Sequence, residues 1–196
     1  MWDSRYSEDG FAYGTEPNDF LKLVVDKIPE GKILSLADGE GRNSVFLAQQ
    51  GYEVFAVDAS KVGLEKANKL AEERGVFIRT ECVDLAGYKI SENNYDGIVS
   101  IFCHLPPRIR KDVHAQVVKG LKPGGVLVLE AYTPEQLNYK TGGPPVAEMM
   151  MTLEALSDEL NGLEFIHAEE VVRDVVEGKY HTGPAAVVQI IATKTK

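Results

Sequence analysis

One stretch constrains this chain more than any other. Within residues 33–58 it runs apolar segment, glycine-rich turn, helix, second apolar segment, acid. Ile33-Leu34-Ser35-Leu36 stops at Ala37-Asp38-Gly39-Glu40-Gly41, as a buried parallel strand entering a turn does. Arg42 to Gln50 then reads as a helix, halted by Gly51. Val54-Phe55-Ala56-Val57 is the second strand, closed by Asp58. Such a unit belongs to a parallel sheet with helices packed on it.

The alternation continues. Ser60 caps a helix that keeps Leu64, Ala67 and Ala71 on one face, and Gly75 ends it. Val76 to Val83 and Asp96 to Cys103 read as the third and fourth strands. Pro107 opens a helix with Ile109, Val113, Val117 and Leu121 as its apolar stripe, and Pro123-Gly124-Gly125 turns into a fifth strand, Val126 to Leu129. Ahead of the unit, Asn18 caps a helix carrying Leu21, Val24, Val25 and Ile28. Beyond residue 150, a helix over Leu153 to Leu160 precedes two long strands, Glu164 to Val176 and Ala185 to Thr193. The short connection Glu177 to Pro184 makes these two an antiparallel hairpin. The expected architecture is one α/β domain over residues 1–196: an amino-terminal segment and helix (1–30), a core (31–132), and a carboxyl-side helix and hairpin (133–196).

The glycine turn has a chemical reading. Gly39 and Gly41 admit backbone conformations closed to other residues and let a ligand approach the main chain. The following helix begins with backbone N–H groups that lack intrahelical partners. Asp58, at the tip of the second strand, is placed to accept hydrogen bonds from ribose hydroxyls. A nucleotide-type cofactor follows. Nicotinamide and S-adenosylmethionine both fit so far, although Ser44 stands where the dinucleotide pattern has Gly or Ala.

Asp84-Leu85 at the end of the third strand, Tyr95-Asp96-Gly97-Ile98-Val99-Ser100, and Leu121-Lys122-Pro123-Gly124-Gly125-Val126-Leu127 favour S-adenosylmethionine. In order and spacing these segments resemble the class I S-adenosylmethionine-dependent methyltransferases over roughly the whole chain. Trp2-Asp3-Ser4-Arg5-Tyr6, Ala12-Tyr13-Gly14-Thr15-Glu16-Pro17-Asn18 and Gly39-Glu40-Gly41-Arg42-Asn43 are similar to the small-molecule group typified by tellurite-resistance and thiopurine methyltransferases. The resemblance implies a Rossmann-like three-layer sandwich, with a seven-stranded, mostly parallel sheet ending in the antiparallel hairpin. It also implies a cofactor site of Ala37, Asp38, Gly39, Gly41, Arg42, Asp58, Ala59, Asp84, Leu85, Ser100 and Phe102, closed by Arg5, Tyr6 and Tyr13. The reaction implied is in-line methyl transfer to an S, Se/Te, N or O acceptor on a small molecule. One departure stands out: where the family has Asp-Leu-Gly-Cys-Gly, this chain has Ser35-Leu36-Ala37-Asp38-Gly39, so Asp38 is the candidate for restoring a carboxylate. A nicotinamide-dependent oxidoreductase and a non-catalytic S-adenosylmethionine-binding protein are the alternatives.

The amino-terminal segment holds Trp2, Arg5, Tyr6, Phe11 and Tyr13, aromatic content foreign to a disordered tail. It is expected to fold over the cofactor as a lid. His104, just after the fourth strand, and His181, in the hairpin connection, are the candidate substrate contacts and proton acceptors. His114 and His167 are expected to be structural or exposed. Arg108-Ile109-Arg110-Lys111 reads as a solvated helix face, and Arg173, Asp174 and Glu177 read as solvated edge charges, with lining of the substrate pocket as the alternative. No metal site is expected, because no His or Cys pair has zinc-site spacing. A net charge of −9 disfavours nucleic acid as a partner. No apolar run nears the ~20 residues of a membrane span. The start lacks a secretory pattern and there are only two cysteines, Cys82 and Cys103, so a cytoplasmic location is expected.

Overall fold

The computed structural model describes residues 2–195. Its sheet has seven strands in the order β3-β2-β1-β4-β5-β7-β6. They are β1 (Lys32–Leu36), β2 (Glu53–Asp58), β3 (Arg79–Cys82), β4 (Tyr95–Ile101), β5 (Leu121–Tyr132), β6 (Leu163–Glu177) and β7 (His181–Lys194). The first five are mutually parallel, whereas β7 runs antiparallel to both β5 and β6. The helices are α1 (Trp2–Tyr6), α2 (Asp19–Val24), α3 (Arg42–Gln49), α4 (Lys61–Glu73), α5 (Pro107–Gly120) and α6 (Leu153–Glu159).

Side-chain alternation along the strands builds two cores. Ile33, Val54, Val99, Val126 and Val128 join Leu21, Val45, Ala67 and Leu70, so α2, α3 and α4 cover one face. Leu34, Leu36, Ile98, Leu127 and Leu129 join Val113, Val117 and Leu156, so α5 and α6 cover the other. These strands are buried on both faces, which is why they read as continuous apolar runs. The three-layer architecture implied by the resemblance is the one observed. Met150 and Met151, which patterning leaves unassigned, are core residues, with 4% and 1% of their surface exposed.

The expected caps form. The Asn18 side chain accepts from Leu21 N, and the Ser60 hydroxyl accepts from Gly63 N. Three boundaries differ from expectation. β3 is shorter, four residues against eight, and residues 76–78 before it belong to no strand. β5 begins at Leu121, because Leu121 pairs with Tyr95 across an irregularity in the β4 register. The hairpin strands are longer than expected and leave only residues 178–180 as the turn, with Gly178 at φ 65°. Short helix α1 is an addition to the expected elements. Among the described residues no helix is long and apolar enough to cross a membrane.

Chain order reverses between β1 and β4, and ligands of open α/β sheets bind at the carboxyl ends beside such a switch point. Because β6 is parallel to β5, its turn into β7 lies at that same end. The glycine loop, Asp58, the residues after β4 and the 178–180 turn are therefore neighbours by topology.

Candidate active site

The loop between β1 and α3 is built from left-handed residues: Ala37 at φ 49°, Gly39 at φ 64° and Gly41 at φ 89°. Ala37 occupies a conformation that glycine adopts without strain, at a cost of about 1–2 kcal/mol for an L-residue. A Cβ on Gly41 would strike Ala67 Cβ at 2.6 Å, so this glycine permits α3 and α4 to pack. A Cβ on Gly39 would lie 2.7 Å from the Tyr6 hydroxyl.

Asp38 is buried. The Ser35 hydroxyl donates to its Oδ1 at 2.6 Å and the Ser44 hydroxyl to its Oδ2 at 2.5 Å. The acid missing at position 35 is thus replaced three residues later, and Ser35 and Ser44 become its supports. Burial, which disfavours the charged form, pushes Asp38 up to about 6. The folded state therefore holds a proton more tightly than the unfolded chain between pH 3.8 and about 6. The resulting stability is fullest below 3.8 and is lost as pH rises through 6. Asp38→Asn removes this titration. Wild-type stability relative to the variant is expected to fall by about 3 kcal/mol between pH 4 and 7. Urea unfolding of both proteins across that range checks it; parallel curves would contradict it.

Asp58 is buried at the end of β2, where Gly39 N donates to Oδ2 at 2.9 Å and Ser60 N donates to Oδ1 at 2.7 Å. Each carboxylate oxygen keeps a second lone pair for a hydroxyl donor. Burial raises the Asp58 pKa, and the main-chain donors oppose that shift. A buried acid at a strand tip, beside a loop with no side chain at Gly39, fits the ribose and methionine portions of S-adenosylmethionine. Asp84 is exposed beyond β3, with Oδ1 accepting from Ala86 N, while Leu85 is buried in the core. Ala59 is exposed between Asp58 and Ser60, and buried Ser100 pairs with Leu36 across β4 and β1.

The amino-terminal segment lies over this loop. Tyr6 is buried, and a Cβ on Gly63 would meet its ring at 3.0 Å. The Asp3 carboxylate accepts from the Ser60 hydroxyl at 2.5 Å, beside the start of α4. Ala12 N donates to Glu40 Oε2 at 2.7 Å, and Lys66 Nζ bridges Glu40 to the carbonyls of Glu8 and Gly10. Arg5 Nη1 donates to the Tyr13 hydroxyl at 2.8 Å, and its guanidinium sits over the Trp2 and Tyr180 rings. The segment is held from α1 through Ala12 by side chains of the cofactor loop, of α4 and of the β6–β7 turn.

The two candidate histidines separate cleanly. His104 Nε2 accepts from Tyr132 N at 3.0 Å, so its proton is on Nδ1, which faces the Phe102 carbonyl at 3.1 Å. Both nitrogens serve the main chain, and burial pulls the group down to about 4. With both nitrogens so engaged, His104 braces the β4 and β5 ends. His181 instead lies among Tyr13, Phe102 and Tyr132, with ring centroids 4.5, 4.8 and 5.3 Å away. Its Nδ1 is 3.5 Å from Glu177 Oε2, and burial holds it below the usual histidine range. Phe102 takes φ 51°, a strained conformation at the end of β4 that stacks its ring on Tyr132.

Other residues read as solvated are not. Glu177 is buried, accepting from Arg42 Nη2 at 2.7 Å and from Asn18 Nδ2 at 2.8 Å. Arg173 pairs with fully buried Glu130, to which Asn18 Nδ2 and Gln189 Nε2 also donate. Against the burial of Glu177, His181, Arg42 and Asn18 together hold it down at about 2. Arg110 likewise is buried, in a pair with Glu159 that also engages His114 at 2.7 Å. Asp174 alone among the β6 charges in question stays exposed.

Residues 33–125 match the model of a methyltransferase domain family. A glycine/sarcosine N-methyltransferase from Halorhodospira halochloris is 32% identical over 143 residues, covering 70% of this chain and 48% of that protein. Over residues 33–125 the chain carries a methyltransferase domain, similar to those of the class I S-adenosylmethionine-dependent methyltransferases. A 2-heptyl-1-hydroxyquinolin-4(1H)-one methyltransferase from Mycobacteroides abscessus is 22% identical over 142 residues, covering 70% of the chain and 63% of that protein. The chain thus spans about half to two thirds of the length of these curated relatives. The crystal structure of TehB from Haemophilus influenzae superposes with a TM-score of 0.74 at 23% identity, covering 90% of this chain and 62% of that one. The shared fold includes the seven-stranded sheet.

Proposed function

We propose that this protein transfers a methyl group from S-adenosylmethionine to a small molecule, with His181 receiving the proton that a nitrogen or oxygen nucleophile gives up. The observation that carries this reading is the assembly at one sheet end. The left-handed glycine loop, buried Asp58 and the His181–Glu177 pair meet there, beneath the amino-terminal segment. When bound, S-adenosylmethionine supplies a methyl group made electrophilic by its sulfonium. Asp58 would hold the ribose hydroxyls, and the loop around Gly39 would take the amino-acid portion. Tyr6 and Tyr13 would exclude water, and the faces of Tyr13 and Phe102 suit the positive sulfonium. Much of the rate would come from alignment rather than from acid–base chemistry.

His181 is suited to its part because its Nδ1 faces Glu177, leaving the Nε2 lone pair as the available base. Its lowered pKa keeps it neutral at pH 7. For an amine or hydroxyl acceptor, kcat/KM is expected to fall as pH drops through the His181 pKa, below 6.5. His181→Asn should lower kcat by about 10²–10⁴-fold with cofactor affinity retained. A thiolate acceptor would be indifferent to this change. The names of two relatives, an N-methyltransferase of glycine and sarcosine and a quinolone methyltransferase, support a small acceptor. Labelled-methyl transfer to a panel of amines, phenols, thiols, and selenium and tellurium oxyanions tests the reading. Labelling of no member by wild-type protein would count against it.

A further inference from the structure

One face of helix α3 borders a small cavity. Arg42, Val45, Phe46 and Gln49 recur at the three- and four-residue spacing of a single helical face, and all four line it. The other walls come from three separate elements: the 15–17 segment ahead of α2, Lys22 on α2, and Arg74 at the carboxyl end of α4. The cavity measures about 120 Å³. That is the share of roughly four water molecules at ~30 Å³ each, well short of the ~300 Å³ at which small-molecule sites begin. Only a compact group enters it.

The lining is cationic, in a chain whose net charge is −9. Lys22, Arg42 and Arg74 line it against one acid, Glu16. Among the described residues no carboxylate pairs with Lys22. Its helical neighbours Asp19 and Asp26 pair with Arg173 and Lys27, and Glu16 pairs with Arg74. Arg42, with 9% of its side chain exposed, commits Nη2 to Glu177. Its Nη1 is also buried and has no hydrogen-bond partner among the described residues. A buried donor of this kind calls for an acceptor.

The third cation shows what chemistry the lining takes. Arg74 Nη2 donates to Glu16 Oε1 at 3.3 Å, so a carboxylate of the chain itself already pairs with a wall of the cavity. The two side chains are 40% and 76% exposed, and so weak a pair yields to a ligand that also reaches Lys22 and Arg42. Thr15 and Gln49 add a hydroxyl and an amide that donate to oxygen. We propose that this cavity binds a compact inorganic oxyanion, of phosphate size and charge, on Lys22, Arg42 and Arg74, with Glu16 as its competitor for Arg74. The site is separate from the methyl-transfer chemistry and does not rest on that reading. It meets the candidate active site at one residue, because the Arg42 guanidinium also holds Glu177, the partner of His181.

Equilibrium dialysis of the full chain against labelled inorganic phosphate tests the site. Chloride holds the ionic strength constant, so that general screening is the same in every sample. Saturable binding of one phosphate per chain is expected. Lys22→Gln and Arg74→Gln should each weaken it about tenfold, the effect of losing one charge-assisted contact. Glu16→Gln should instead tighten it, by about threefold or more, because the competing charge is gone. All three side chains are exposed, so the variants are expected to fold. Ribose 5-phosphate should bind no more tightly than phosphate, since the cavity has no room for the sugar. Tighter binding of the ester would overturn the assignment to a free ion. Absence of saturable phosphate binding, or binding that Lys22→Gln and Arg74→Gln both leave unchanged, would overturn the site itself. Titration of the same chain with S-adenosylhomocysteine reads the cofactor site separately, so either assignment can fail alone.

Discussion

Glu177→Ala is expected to lower the free energy of unfolding by about 3–5 kcal/mol, the range for removing one partner of a buried ion pair. The wild-type carboxylate answers Arg42 at 2.7 Å and Asn18 at 2.8 Å, with His181 Nδ1 at 3.5 Å and Arg173 at 3.9 Å. Without it, the Arg42 guanidinium stays buried with no counter-charge, and Asn18 keeps one acceptor of two, Glu130. Four elements lose a common fastening: α2 through its capping Asn18, α3 through Arg42, and the two hairpin strands. Glu177→Gln should cost less, because an amide oxygen still accepts from Asn18. The pH dependence has a definite sign. A carboxylate held at about 2 in the fold and 4.5 outside it stabilises the protein above pH 4.5 and loses that effect as pH falls toward 2. Urea unfolding at pH 7 measures the difference. A loss below 1 kcal/mol for the alanine variant would mean that the network does not join these elements.

The second large effect concerns the amino-terminal segment. Deleting residues 1–13 is expected to weaken S-adenosylmethionine binding by at least 100-fold, about 3 kcal/mol, while the sheet stays folded. The asymmetry follows from what the segment touches. Among its described residues only Tyr6 and Ala12 are buried, and neither belongs to the clusters that hold the helices on the sheet, although partly buried Phe11 packs against one of them. Its bonds run instead to the proposed cofactor site: Tyr6 against Gly39, Asp3 to Ser60, Ala12 to Glu40, and Arg5 to Tyr13 beside His181. Removal opens the site to water and takes from the α2–α3–α4 core only the edge contact of Phe11. Circular dichroism and calorimetry on the truncated chain separate the two consequences. Unchanged affinity in a folded protein would end the lid reading.

Much of the fold is legible in the sequence itself. Strand runs ending at Asp58 and at Gly39, caps at Asn18 and Ser60, and a hairpin after residue 160 rest on local rules that tertiary contacts do not override. Helix α1 escapes because five residues make too few turns to show a period, and its stability comes from Tyr6 docking on the cofactor loop and Asp3 on Ser60, the cap of α4. The hairpin turn reads too broadly because Gly183 and Pro184 look like breakers. They lie instead in strand β7, Pro184 opposite Asp174 in the register.

The buried charges are the real blind spot. Arg173 and Glu177 stand in the run Val171-Val172-Arg173-Asp174-Val175-Val176-Glu177, which has no clean two-residue alternation, and charged residues in such a strand default to a solvated reading. Their partners Glu130, Asn18 and Arg42 lie 43, 159 and 135 residues away in the chain. No local pattern encodes such a pairing. The histidines pose a related problem, since His104 and His181 both flank strand ends. Only the main-chain bonds to both nitrogens of His104 set it apart from His181. Asp38 shows the opposite case. Its nearness to Ser35 makes a displaced carboxylate readable from sequence, and the Ser35–Asp38–Ser44 bonding matches that reading.

The cofactor site is where these threads meet, and calorimetry addresses it most directly. The full chain titrated with S-adenosylmethionine, with its demethylated product and with NADH should bind the first two at one site per chain. It should show no heat with the third. Binding of NADH in place of S-adenosylmethionine would contradict the assignment of Asp58 and the glycine loop.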